Sequence, residues 1–114
     1  MKRRNEQRDL MPGTLEMLIL QTLKRDALHG YAIAQAIQQT SDEVLQVEEG
    51  SLYPALQRLL REGWVSAEWG MSSRNRRVRT YKITAAGRKQ LGREIAGFER
   101  LMAGITRVIR PAES

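Results

Sequence analysis

Gly50-Ser51-Leu52-Tyr53-Pro54-Ala55-Leu56-Gln57-Arg58-Leu59-Leu60-Arg61-Glu62-Gly63 reads as one amphipathic helix with its start and stop signals written in. Leu52, Ala55, Leu56, Leu59 and Leu60 recur every three or four residues, the spacing of a single buried helical face. Ser51 reads as the N-cap, because its hydroxyl can accept a bond from a free backbone N–H of the first turn. Pro54 then falls at the third helical position, where no ladder N–H is lost. Gly63 reads as the residue that closes the helix. The opposite side offers Ser51, Tyr53, Gln57, Arg58 and Arg61. Their hydroxyl, amide and guanidinium groups suit phosphates and base edges. A helix face that merely meets water has a similar composition.

Downstream, residues 64–69 alternate, with Val65, Ala67 and Trp69 on one face. Residues 78–83 alternate too, with Arg79, Tyr81 and Ile83 together. The Gly-, Ser- and Arg-rich stretch 70–77 between them reads as a mobile hairpin loop. Thr84 reads as the cap of a last helix that runs to Ile109 and is stopped by Pro111. Along it Leu91, Ile95, Phe98, Met102, Ile105 and Ile109 step by four and three residues alternately, the pattern of a coiled-coil seam. Leu101 and Val108 widen that stripe.

Upstream, a first helix is predicted from Pro12, with Leu15, Leu18, Ile19 and Leu23 on its buried side. It ends before the Leu28-His29-Gly30 corner. A second helix spans residues 30–39, with Tyr31, Ile33, Ala34 and Ile37 as its apolar side. The Tyr31 ring is expected in the core with its hydroxyl at the surface. His29 is expected to be a turn residue with a satisfied side chain; a phosphate contact at the helix N-terminus is the alternative. The order helix, helix, helix, hairpin, long helix describes a mainly α fold with a small two-stranded β-wing. It is a winged helix-turn-helix over residues 12–84, with a C-terminal dimerisation helix over 85–110. A basic arm, residues 1–11, precedes it and a short tail, 111–114, follows.

Composition narrows the functions. The 114 residues make one domain's worth of chain. There is no cysteine and one histidine, so disulfides, thiolate metal sites and the usual nucleophile and base constellations are excluded. No cofactor and no metal are expected, and no phosphate-cradling glycine loop or nucleophile elbow is present, so an enzyme is not expected. The basic N-terminus has no long apolar stretch behind it, and the best apolar run, residues 15–20, contains Glu16. The expected location is the cytoplasm, with no membrane partner. Nineteen Lys and Arg against thirteen Asp and Glu give a net charge of +6. Their distribution says more than the total. Between Glu68 and Glu94 there is no acid, while Arg74, Arg76, Arg77, Arg79, Lys82, Arg88, Lys89 and Arg93 all fall inside.

These features point to duplex DNA. In a winged helix-turn-helix the third helix lies in the major groove. Arg74, Arg76 and Arg77 on the hairpin loop suit phosphates or a narrow minor groove. Ser73 and Asn75 beside them can hydrogen-bond the backbone or bases. The apolar stripe of the last helix extends past what three short helices can cover, so a second copy is the simplest way to bury it. Phe98, mid-seam, either fills that dimer core or lines a cavity for a flat apolar effector.

Four pieces, in order and at the right spacing, closely resemble the PadR family of bacterial transcriptional regulators: residues 28–31 (LHGY), 50–56 (GSLYPAL), 59–65 (LLREGWV) and 77–87 (RVRTYKITAAG). The single C-terminal helix is similar to the family's compact subfamily, and the chain resembles its acidobacterial-type subgroup. The resemblance implies a homodimer built through that helix, binding an inverted repeat in promoter DNA, usually as a repressor. It implies DNA contacts from Ser51, Tyr53 and Pro54 and from the wing around Arg74, Asn75, Arg76 and Arg77. It also implies relief by a small hydrophobic or planar effector. A winged-helix protein-interaction module without DNA binding is the alternative. An RNA-binding module fits less well, because aromatic residues for stacking unpaired bases are only 5% of the chain.

Overall fold

A computed structural model describes residues 13–112, so the basic arm and the proposed helix start at Pro12 lie outside the described residues, as do the last two residues of the tail. The elements run α1 (Thr14–Arg25), β1 (Leu28–His29), α2 (Gly30–Thr40), α3 (Glu49–Arg61), β2 (Val65–Met71), β3 (Arg77–Ile83) and α4 (Ala85–Ile109). The helices and the wing hairpin therefore fall where hydrophobic periodicity puts them.

The core follows from that periodicity. Ile19 and Leu20 of α1, Ile33 of α2, and Leu52, Leu56 and Leu59 of α3 are essentially sealed from water. Tyr81 and Ile83 of β3 and Leu91 of α4 close the cluster. Burying a side chain of this size stabilises the fold by roughly 1.5–3 kcal/mol relative to leaving it exposed.

The sheet has three antiparallel strands in the order β1-β3-β2, not two. Leu28 pairs with Tyr81 and His29 with Thr80, so the corner before α2 is itself a short strand. Two residues cannot display an alternating pattern; this strand exists because β3 offers an open edge beside it. His29 then caps α2, its Nδ1 accepting from the Ala32 N–H at 3.4 Å. That satisfied side chain is the one expected of it. Tyr31 is a correction: its side chain is 62% exposed, because Ile33 and Ile37 take the buried face of α2.

The start of α3 is a second correction. The helix begins at Glu49 with Glu48 at the N-cap and no side-chain cap bond, so Ser51 is a helical residue and Pro54 the sixth. Pro54 therefore does remove an N–H that would have bonded the Gly50 carbonyl, and it does so where Gly50 is exposed to solvent. Glu49 in the first turn complements the helix dipole and favours the earlier start. The far end is as expected. Gly63 has φ +76°, its N–H bonds the Leu60 carbonyl, and the Trp64 N–H bonds that of Leu59. This pair of bonds is the Schellman closure that a left-handed glycine permits.

Thr84 caps α4, its Oγ1 accepting from the Gly87 N–H at 3.0 Å. The same hydroxyl donates to the Gly63 carbonyl at 2.7 Å, and the Thr84 N–H bonds the Trp64 carbonyl at 3.0 Å. The end of α3, the root of the wing and the start of α4 thus share one joint.

Candidate nucleic-acid interface

The α3 helix spends Leu52, Ala55, Leu56 and Leu59 on the core, which turns Ser51, Tyr53, Pro54, Gln57 and Arg58 outward. Tyr53 is not simply a solvent side chain. Its ring lies over the first residue of α2, so closely that a Cβ on Gly30 would sit 2.7 Å from the phenol oxygen. Partial burial raises the Tyr53 ionisation above the ordinary phenol range, and Glu49 and then Tyr81 add to the effect. Arg58 is held back by α1: its Nε meets Glu16 Oε2 at 2.5 Å, with Arg58 half exposed and Glu16 mostly shielded. Nothing in the sequence pattern marks Glu16 as its partner, since the two are 42 residues apart.

The wing turn is closed by its own hydrogen bonds. The Ser72 N–H bonds the Arg76 carbonyl at 2.8 Å and the Asn75 N–H bonds the Ser72 carbonyl at 2.9 Å. Ser72 Oγ accepts from the N–H groups of Arg74 and Arg76, both at 3.2 Å. Asn75 takes the left-handed position, φ +61°, a conformation asparagine tolerates better than most residues. The backbone of the turn is organised, then, while Ser73, Arg74, Asn75, Arg76 and Arg77 all remain exposed around it.

Behind the turn the hairpin register sets Trp69 opposite Arg79 and Met71 opposite Arg77. The Arg77 guanidinium carbon lies 4.4 Å from the centre of the Trp69 ring, and that of Arg79 lies 5.8 Å from it. Sequence reading placed both strands but missed this cluster. Only the register, which needs the turn geometry, shows that the indole and the two arginines share a face.

The apolar stripe of α4 divides in two. Leu91 is buried in its own chain and Ile95 packs against the same core, so Leu91 is not available to a partner. Beyond them Phe98, Met102 and Ile105 are about 40% exposed and Ile109 67%, with Leu101 and Val108 beside them. Grooves of about 350 and 390 Å³ lie around α1, α2 and α3; neither is lined by Phe98. No helix among the described residues is long and apolar enough to cross a membrane.

Comparison with known proteins agrees with this architecture. The model of the Transcriptional regulator PadR-like family matches residues 19–93. An uncharacterised protein of Lysinibacillus sphaericus is 30% identical over 83 residues, covering 73% of this chain and 76% of its own length. A transcriptional regulator from Clostridium thermocellum superposes with a TM-score of 0.79 at 26% identity, over 86% of this chain and 95% of that one. Bacillus subtilis PadR, solved in complex with operator DNA, shares the fold with a TM-score of 0.64 at 22% identity, over 71% of this chain and 47% of that one. With two-thirds of its length inside the family model, and with the three-helix, hairpin and long-helix order in place, the chain belongs to the PadR-like family of transcriptional regulators, which are not enzymes.

Proposed function

We propose that this protein acts as a homodimer on an inverted repeat in double-stranded promoter DNA, within the cytoplasm. Its DNA-binding unit is residues 12–84 and its dimerising helix residues 85–110. Ser51, Tyr53, Pro54 and Gln57 enter the major groove, with Arg58 joining them when it leaves Glu16. Ser73, Arg74, Asn75, Arg76 and Arg77 contact the flanking backbone. Repression, relieved by a small hydrophobic or planar effector at Phe98 between two α4 helices, follows the family resemblance. The Bacillus subtilis relative bound to operator DNA supports the choice of ligand.

The observation that carries the reading is the exposed outer surface of α3, followed directly by a hairpin whose exposed turn bears Arg74, Arg76 and Arg77 and no acid. Cations placed this way neutralise phosphates and release counterions. Replacing these three arginines by glutamine should flatten the plot of log K against log salt by up to ~0.9 per lost phosphate contact. Fluorescence anisotropy with a labelled duplex reads that slope. An unchanged slope removes the wing from the interface, and no duplex binding by the wild type overturns the reading altogether.

A further inference from the structure

One face of the hairpin carries an ordered series of cations and rings: Arg77, Trp69, Arg79, Tyr81. Arg77 sits 4.4 Å from the indole centre, and Arg79 sits 5.8 Å from the indole and 5.8 Å from the Tyr81 ring. Two guanidiniums two residues apart on one strand face repel each other. The negative π-face of an indole beside both offsets that repulsion and restricts where they sit. Glu68, the one acid of the two strands, belongs to the opposite face, in register with Thr80. Among the described residues neither arginine makes an ion pair. Arg79 Nε is buried without an acceptor, so a donor in this cluster lacks a protein partner.

Trp69 has no comparable packing role. It is 56% exposed, whereas Val65 and Tyr81, nearer the root of the same face, are buried in the core. An exposed tryptophan flanked by two arginines is therefore better explained by what it does to them.

We propose that Trp69 is a positioning residue that holds Arg77 and Arg79 as a fixed pair of guanidinium donors for adjacent phosphates of the DNA backbone. This rests on the DNA-binding reading above and adds Arg79, behind the wing turn, to the residues that touch the ligand. A guanidinium already held in place loses less rotamer freedom when it meets a phosphate, and its planar fork can then donate two bonds.

The test is a set of anisotropy titrations with a short mixed-sequence duplex at fixed salt. The proteins are wild type, Trp69→Ala, Trp69→Tyr, Arg77→Gln/Arg79→Gln, and the triple variant combining Trp69→Ala with both arginine changes. Thermal melts of each establish that it folds. Trp69→Ala should weaken binding about 3- to 10-fold, the scale of one or two exposed cation–π contacts. Trp69→Tyr should restore most of that loss. The triple variant should bind no worse than the double arginine variant, because Trp69 acts only through those two side chains. Wild-type affinity in a folded Trp69→Ala overturns the inference alone. Equal weakening by Trp69→Ala in the Arg77→Gln/Arg79→Gln background overturns it too, since the indole would then touch the DNA itself. A wild type that binds no duplex overturns the DNA-binding reading and this inference with it.

Discussion

Tyr53 belongs to the proposed reading surface and to the packing between two helices at once. Its ring covers Gly30 at the start of α2, so truncation to alanine opens a gap between two helices besides removing a hydroxyl. Tyr53→Phe is the cleaner probe, because it keeps the ring. The phenol's ionisation is raised by burial first, then by Glu49 and Tyr81. The folded chain therefore keeps this proton to a higher pH than the unfolded chain does. The stability linked to it is fully present below the unfolded value of about 10 and is lost as pH rises through the folded value. Urea unfolding below and above pH ~10 should show wild type losing more stability than Tyr53→Phe, and absorbance titration should show the variant lacking one late-ionising tyrosinate. An identical pH dependence would mean that the phenol is not desolvated. The sequence marks Tyr53 as outward-facing on α3, which is right, but not as packed on Gly30. That contact depends on how α2 and α3 cross, which spacing along one helix does not encode.

The α3 helix has readable ends and a hidden tether. Its closure at Gly63 is legible because a left-handed glycine after an apolar run has one common use. Its start is not, because Ser51 and Pro54 together imitate a capped first turn while Glu49 begins the helix earlier. The tether is the Glu16–Arg58 pair, which joins α1 to the outer face of α3. While it holds, Arg58 has one charge partner already. Glu16→Gln should release the guanidinium, tighten duplex binding a few-fold and steepen the salt slope by ~0.9, one phosphate's worth. Adding Arg58→Gln should cancel that gain. Thermal stability should fall only modestly, since partly exposed ion pairs contribute about 0–1 kcal/mol. Unchanged binding by Glu16→Gln would make Arg58 a brace between helices instead of a reader.

For the whole molecule, the α4 seam settles less than its heptad pattern suggests. Leu91 and Ile95 serve their own chain, while Phe98, Met102 and Ile105 remain open. Periodicity shows that a stripe is apolar; it does not say which chain covers each part. Met102→Asp with Ile105→Asp therefore tests the dimer better than any change at Ile95. Neither residue belongs to the core cluster of its own chain, so the variant should keep its helical circular dichroism. It should sediment as a monomer at micromolar concentration, where the wild type should sediment as a dimer, because carboxylates in an apolar seam cannot be solvated. Its operator footprint should disappear, since two half-sites one DNA turn apart need two joined subunits. A variant that still dimerises would assign the interface elsewhere, and a monomeric wild type would remove the dimer altogether. The joint at Thr84 adds a mechanical consequence. A 25-residue helix is a rod about 37 Å long. It is pinned at its base, where the Thr84 hydrogen bonds tie it to Gly63 and Trp64 and where Gly87 lies so close to the Trp64 carbonyl that a Cβ there would collide with it. Such a rod is a lever without a hinge. In the proposed dimer, a tilt of about five degrees between the two rods changes the separation of the two reading heads by ~3 Å, close to the ~3.4 Å step from one base pair to the next. The crossing angle of two helices is thereby a ruler for the distance between half-sites, graduated in single base pairs.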